Sequence, residues 1–232
     1  MIFCHKPVTG LFQKRLNRFL CLVSINGRDE YAHLPNSGRQ KELLTPGRRT
    51  ILSEAQNLDR ATKYTVHAVS FSNRWVCVDS TVANHVAAEM VRKGSLVLFN
   101  GYSDVKQEHV IGSHRFDLLL TGENLLPLVV EVKSATLVCR GGIATFPDAP
   151  TTRGTSHLKA LSKMSCEGSA CAIIFIVLRS DARTFTPNRK TDPNFADALI
   201  AARDSGVSIN SVRCKVTKRA ITVIDEIKVS LC

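Results

Sequence analysis

PLVVEVKS, residues Pro127 to Ser134, mixes two kinds of side chain in the pattern of an extended strand. Successive side chains of a strand leave on opposite faces. Glu131 and Lys133 therefore share one face, while Val130 and Val132 point the other way, into a core. The segment before it, HRFDLLL from His114 to Leu120, reads as a second strand, with turn residues in TGENLLP between them. A hairpin of the two brings Asp117 beside Glu131. Two carboxylates with a backbone carbonyl, such as that of Val132, make a hard oxygen site suited to Mg2+ or Mn2+. The Lys133 ammonium faces the same small volume. There it can orient or help deprotonate a water, or offset charge building on a phosphate. Glu108, upstream, is a further candidate ligand. Taken alone, the Glu-x-Lys triplet fits a solvated ion pair on an edge strand equally well.

Downstream, FPDAPTTRGTSHL (Phe146 to Leu158) predicts Arg153 in a loop opening a helix and His157 on its first turn. Arginine and a helix N-terminus both favour phosphate. A surface or core role fits a lone histidine as well. Asp148 reads as a brace for the loop, not as a ligand. TSHLKALSKMSCEG then sets Leu158, Leu161 and Met164 at helical spacing, and ACAIIFIVL, continuously apolar, predicts a buried strand. DPNFADALIAARDSG is a helix with Pro193 near its start and Gly206 at its end. VSINSVRCKV and AITVIDEIKVSL read as closing strands. Upstream, TVANHVAAEMVRKG puts Val82, Val86, Met90 and Val91 on one helical face, with Gly94 as the cap. Strands alternating with helices predict an α/β domain with a mixed sheet over residues 81–232.

Residues 1–80 read as β. RFLCLVSI and EYAHL flank Asn26-Gly27, a tight-hairpin signal, and YTVHAVSF and WVCVDS follow. Several short strands predict a small barrel, of OB or SH3-like type. Within it, LPNSGRQKELL gathers Asn36, Ser37, Gly38, Arg39 and Lys41 in a polar turn. Such a turn can hold a phosphate through N–H groups and charge, though an ordinary connector fits too.

The net charge is +11, and both halves are basic, with 12 basic and 6 acidic residues through Ser80 and 19 and 14 after it. That field attracts polyanions, nucleic acid above all. At 6% aromatics no long base-stacking platform is evident, so backbone binding without sequence preference is expected. No apolar run approaches the ~20 residues of a membrane span, and Met1 to Leu11 has no signal-peptide core. A soluble cytoplasmic protein without a membrane partner is expected. The eight cysteines include no C-x2-C pair and read as reduced, mostly buried thiols.

HLPNSGRQKELLTPG, GYSDVKQEHV, RFDLLL, VEVKSATL, FPDAPTTRGTSHL and DPNFADAL follow one another here as in the sugar fermentation stimulation protein A family, which the chain resembles over nearly its whole length. The resemblance implies an N-terminal OB-fold joined to a PD-(D/E)xK nuclease-like domain, and non-specific DNA binding. It implies Asp117 as motif aspartate, Glu131 as motif glutamate, Lys133 as motif lysine and Glu108 as the upstream acid. The expected function is nucleic-acid binding, DNA over RNA, with metal-dependent cleavage by Asp117, Glu131, Lys133 and Glu108. Asn36, Arg39, Lys41, Arg115, Arg153 and His157 are the expected nucleic-acid contacts. The alternative is a non-cutting DNA-binding regulator of sugar (maltose) metabolism genes. His114, Thr152 and Ser156 depart from the family pattern, which touches substrate grip more than chemistry.

Overall fold

Asn26 and Gly27 both take positive φ, 52° and 79°, the geometry that lets a two-residue turn match the twist of its strands. Around that turn the computed structural model, which describes residues 1, 6–55, 57 and 59–231, builds a closed barrel. Its strands are β1 (Val8–Arg15), β2 (Leu20–Ile25), β3 (Arg28–His33), β4 (Arg49–Glu54) and β5 (Tyr64–Phe71). β1 pairs antiparallel with β2 and β4, β2 with β3, and β4 with β5. The ring closes through a parallel contact of β3 and β5 at Ala32–Tyr64. This five-stranded closure is the OB-like arrangement and decides between the two barrel types. β1 and β4 escaped the sequence reading. β1 carries Gly10, where a Cβ would stand 2.8 Å from the Ser24 carbonyl, so close strand approach there replaces a β-forming side chain.

β6 (Arg74–Cys77) leaves the barrel and pairs with β14, carrying the sheet into the second half. That half contains α1 (Val82–Arg92), β7 (Asp104–Ile111), β8 (His114–Thr121), β9 (Leu128–Ala135), β10 (Leu137–Cys139), β11 (Ile143–Phe146) and α2 (Thr152–Cys166). It continues with β12 (Ala170–Val177), β13 (Thr184–Pro187), α3 (Pro193–Asp204), β14 (Ser208–Val216), β15 (Ile221–Glu226) and β16 (Lys228–Val229). The main sheet runs β7-β8-β9-β12-β14, with β9, β12 and β14 parallel and β7 and β8 antiparallel. β10, β11, β13 and β16 form a smaller sheet.

β12 is buried on both faces because helices cover both. Ile174 and Ile176 pack in the core that holds α1, and Ile173, Phe175 and Val177 in the core that holds α2 and α3. Val82, Val86, Met90 and Val91 are buried along α1, and Leu158 and Leu161 along α2. Asp192 caps α3, accepting from the Phe195 N–H at 3.0 Å, with Pro193 in the first turn. β7, unread in sequence, is an exposed polar edge strand without an apolar face. The last segment splits, β15 staying on β14 while β16 joins β13. Cys21, Cys77, Cys171 and Cys214 are buried thiols, and Cys139 and Cys166 are exposed. Burial pushes the Cys21 thiol up to about 12. Cys4 and Cys232 lie outside the described residues. No described helix is long and apolar enough to cross a membrane.

A buried hydrogen-bond chain ties the barrel to α1. Ser53 Oγ meets His67 Nε2 at 2.8 Å, and His67 Nδ1 meets Asp79 Oδ2 at 2.9 Å. Asp79 Oδ1 accepts from the Thr81 N–H at 3.0 Å and its hydroxyl at 2.6 Å, just ahead of α1. Asp79→Ala leaves these donors without their acceptor and should lower stability by about 2–3 kcal/mol in urea unfolding. A loss under about 0.5 kcal/mol, the scatter of a plain surface change, would contradict this role.

Candidate active site

The β8–β9 ladder runs from Leu120–Leu128 to Leu118–Val130 and stops there. One residue further, in the same register, Asp117 stands across from Glu131 on strands that have parted. The Val132 N–H, without a strand partner on that side, donates to Asp117 Oδ2 at 2.7 Å. The N–H and C=O of a strand residue share an edge, so the Val132 carbonyl faces the same gap. Asp117 Oδ1 accepts from Asn84 Nδ2 at 2.8 Å, a contact from the first turn of α1.

Glu131 is buried, and one oxygen carries both its partners. Oε1 accepts from Lys133 Nζ and lies 2.6 Å from His157 Nδ1. Oε2 is buried with no hydrogen-bond partner. Burial pushes the Glu131 carboxyl up, but His157 and Lys133 together outweigh it and hold it below the ordinary range. Asp117 moves the other way. Burial, then the Glu131 charge, raise its carboxyl against the pull of the Val132 N–H, Lys133 and Asn84. One carboxylate held ionised beside another pushed up marks an excess of negative charge that a cation relieves. The donors are hard oxygens, and one of them is unspent. Among the described residues no group of three or more His, Cys, Asp or Glu converges. Two carboxylates, a backbone carbonyl and open space fit Mg2+ or Mn2+, which bind through few protein ligands.

These groups line a cleft of about 500 Å³ whose opposite wall is the barrel. Arg18, Asn36, Ser37 and Gly38 face Asp117, Glu131, Lys133 and Arg153 across it. Arg15 shapes that wall. Its guanidinium donates to the carbonyls of Arg18 and Asn36 at 2.6 Å each, of Arg39 at 3.0 Å, and of Gly38. Asp148, expected to brace its own loop, braces the barrel turn instead, its Oδ2 accepting from the Gln40 N–H at 2.9 Å. A Cβ on Gly38 would stand 2.7 Å from Asp148 Oδ1, so the turn can lie this close only with glycine. A second hollow, of about 620 Å³, shares Arg18 and Gly38 with the cleft and adds Arg15, Arg39 and Lys41.

Asp117, Glu131, Lys133, Asn36 and Arg153 thus meet in one cleft, with Arg39 and Lys41 next to it. Arg153 lies in the first turn of α2, not in a loop, because Thr151 caps the helix by accepting from the Gly154 N–H. His157 is a turn further on and buried, resting on Glu131 instead of facing a ligand. Glu108 stays apart. It stands across from Asp117 in the β7–β8 register, but its φ of 54° re-aims the side chain to solvent. Its carboxylate lies 3.7 Å from Arg115, also exposed and outside the cleft. The reading missed Asn84, Arg15 and Arg18, whose roles come from contacts between segments distant in sequence. Two departures from the family pattern meet each other, His114 Nε2 and Ser156 Oγ being 3.1 Å apart.

The raised Asp117 carboxyl has a signed consequence. A carboxyl whose pKa is higher folded than unfolded costs stability as pH rises from the ordinary Asp range through its raised value. Asp117→Asn removes that cost. In EDTA the variant should unfold at a higher denaturant midpoint than the parent at neutral pH. The gain should vanish below the ordinary Asp range, about 3.9, where the parent is itself protonated. A neutral-pH loss of stability would mean that the Val132 and Asn84 bonds outweigh the repulsion.

Residues 14–78 match the family described as SfsA N-terminal OB domain, and residues 81–220 match Sugar fermentation stimulation protein RE domain. The sugar fermentation stimulation protein homolog of Natranaerobius thermophilus is 38% identical over 231 residues, covering 98% of this chain and 96% of the relative. That of Pyrobaculum islandicum is 40% identical over 228 residues, covering 98% and 96%. The solved structure of Pyrococcus furiosus SfsA in complex with Ca2+ superimposes with a TM-score of 0.90 at 30% identity, covering 99% of this chain and 98% of that one. An OB-like barrel, a mixed-sheet second half and full-length identity at this level lead to one conclusion: the chain belongs to the sugar fermentation stimulation protein family.

Proposed function

We propose that this protein binds nucleic acid, DNA in preference to RNA, and cleaves its phosphodiester backbone with a divalent cation, Mg2+ or Mn2+. The proposal takes residues 1–80 as an OB-like binding domain and 81–232 as a PD-(D/E)xK nuclease-like domain acting in the cytoplasm. The observation that carries it is the meeting of Asp117, Glu131 and Lys133 in a cleft walled by basic residues. The unspent Glu131 Oε2 supports a cation there, as does the Ca2+ bound by the P. furiosus relative.

When bound, the cation supplies Lewis-acid charge against the scissile phosphate. Asp117 and Glu131 would hold it. His157 fixes Glu131 through Oε1, which leaves Oε2 available. Lys133, also tied to Oε1, keeps its ammonium in the cleft, where it orients the attacking water or offsets charge on the phosphoryl oxygens. Arg153, at the positive end of α2, grips a neighbouring phosphate. The N–H groups of Ser37 and Arg39 take no partner among the described residues and face the same task from the barrel.

Two measurements test this reading. Lys133→Met should leave Mg2+ binding and DNA affinity near wild type, yet slow cleavage about 100-fold or more. Asp117→Asn and Glu131→Gln should each lose Mg2+ binding in calorimetry while DNA binding in EDTA persists. A wild type that cuts neither DNA nor RNA in Mg2+ or Mn2+ would hand the function to a non-catalytic DNA-binding regulator. Cleavage that survives Lys133→Met would put the chemistry elsewhere.

A further inference from the structure

We infer that nucleic acid held in the cleft runs on across a second, separate surface at the far end of the β10–β11 hairpin, where Arg140 and Arg183 grip its phosphates. The inference rests on the nucleic-acid reading above and extends the footprint beyond it. A hollow of about 730 Å³ opens there, lined by Arg74, Arg140, Arg179, Arg183 and Arg213, with Asp181 as the one carboxylate in its described walls.

The ion pairs leave charge over. Asp181 is taken twice by Arg179 at 2.7 Å and once by Arg74 at 3.2 Å. Arg213 is held by Asp225 at 2.6 and 2.8 Å. Arg140 and Arg183 are exposed and have no ion-pair partner among the described residues. The floor beneath them is fixed. Arg179 is buried, donates to the Thr136 carbonyl at 2.9 Å and lies 4.8 Å over the Phe71 ring. Arg183 leaves that floor along Gly142, where an added Cβ would come within 3.0 Å of its Cγ.

A lone phosphate would call for unpaired donors converging inside the hollow. The buried guanidinium is already spent, and the unpaired ones stand at the rim, which suits a backbone passing over. The two sites are also linked, since Thr136 lines the cleft and its carbonyl holds Arg179 of the arginine hollow at 2.9 Å. Lys133 and Arg140 are seven residues apart, at most about 25 Å of extended chain. Phosphates along one strand of a duplex advance about 3.4 Å each, so about seven steps cover that reach. A short oligonucleotide would fill the cleft alone, and a longer one would occupy both.

The test is DNA binding in EDTA by wild type and by the double variant R140Q/R183Q, on duplexes of about 6 and about 24 base pairs over a salt series. Gln keeps the stem of each side chain, and neither guanidinium has a hydrogen-bond or ion-pair partner to lose among the described residues. Wild type should bind the long duplex with the steeper salt dependence. The variant should lose about 2 units of log–log salt slope on the long duplex and match wild type on the short one. An unchanged slope on the long duplex would overturn the second surface. Equal loss on both lengths would overturn its separateness, placing the two arginines in the grip of the cleft. If wild type binds neither duplex, the nucleic-acid reading falls first and the second surface with it.

Discussion

Where β8 parts from β9, the Val132 N–H passes from a strand neighbour to the Asp117 carboxylate at 2.7 Å. An antiparallel pair has no reason to separate in mid-sheet unless something satisfies the backbone groups it abandons. Asp117 does so on one side, and its other oxygen is held by Asn84 from α1. The opening therefore exists because a carboxylate takes the place of a strand. That carboxylate is also one of the two hard donors facing the gap. One side chain thus both opens the cleft and equips it. Other contacts help to keep it there, from α1, which supplies Asn84, to the chain Ser53–His67–Asp79–Thr81 just ahead of that helix.

The sequence was most informative where periodicity and local chemistry act together. PLVVEVKS declared both its faces, because Val130 and Val132 need a core while Glu131 and Lys133 need partners. ACAIIFIVL could only be interior, and Asp192-Pro193 with Gly206 bracketed α3 as helix-end chemistry requires. The sequence was least informative where a strand's identity is conferred by its neighbours. β7 sets its three apolar residues without a strand period, β1 contains a glycine demanded by a facing carbonyl, and β10, β11 and β13 are three or four residues each.

The site divides the same way. Asp117, Glu131 and Lys133 were legible because a hairpin and a two-residue period bring them together from short range. Arg153 was legible through helix-start chemistry, although Thr151 sets that start earlier than expected. His157 was found for the wrong reason. Its position near a helix start suggested phosphate, but α2 packs over β12 and β8 and brings it onto Glu131. Glu108 went astray because register alone places it opposite Asp117, and no pattern in the residues announces the left-handed φ that turns it away. Asp148 joins segments more than a hundred residues apart, and a single sequence carries no trace of that meeting.

Charge gives the arrangement its direction. Asp117 and Glu131 concentrate negative charge at the bottom of the cleft, in a protein whose net charge is +11. Alone they would repel a phosphate. The barrel answers with Arg18 across the cleft and with Arg39 and Lys41 beside it, held around a turn whose carbonyls Arg15 has already taken. A polyanion is thus attracted by the walls and repelled locally by the floor, a repulsion that a cation between them would lessen. On the proposed function, metal on the floor and phosphate on the walls would be mutually supporting, each reducing the charge the other meets. The barrel is then more than a tether. It sets positive charge beside the two carboxylates that the second half contributes to the cleft.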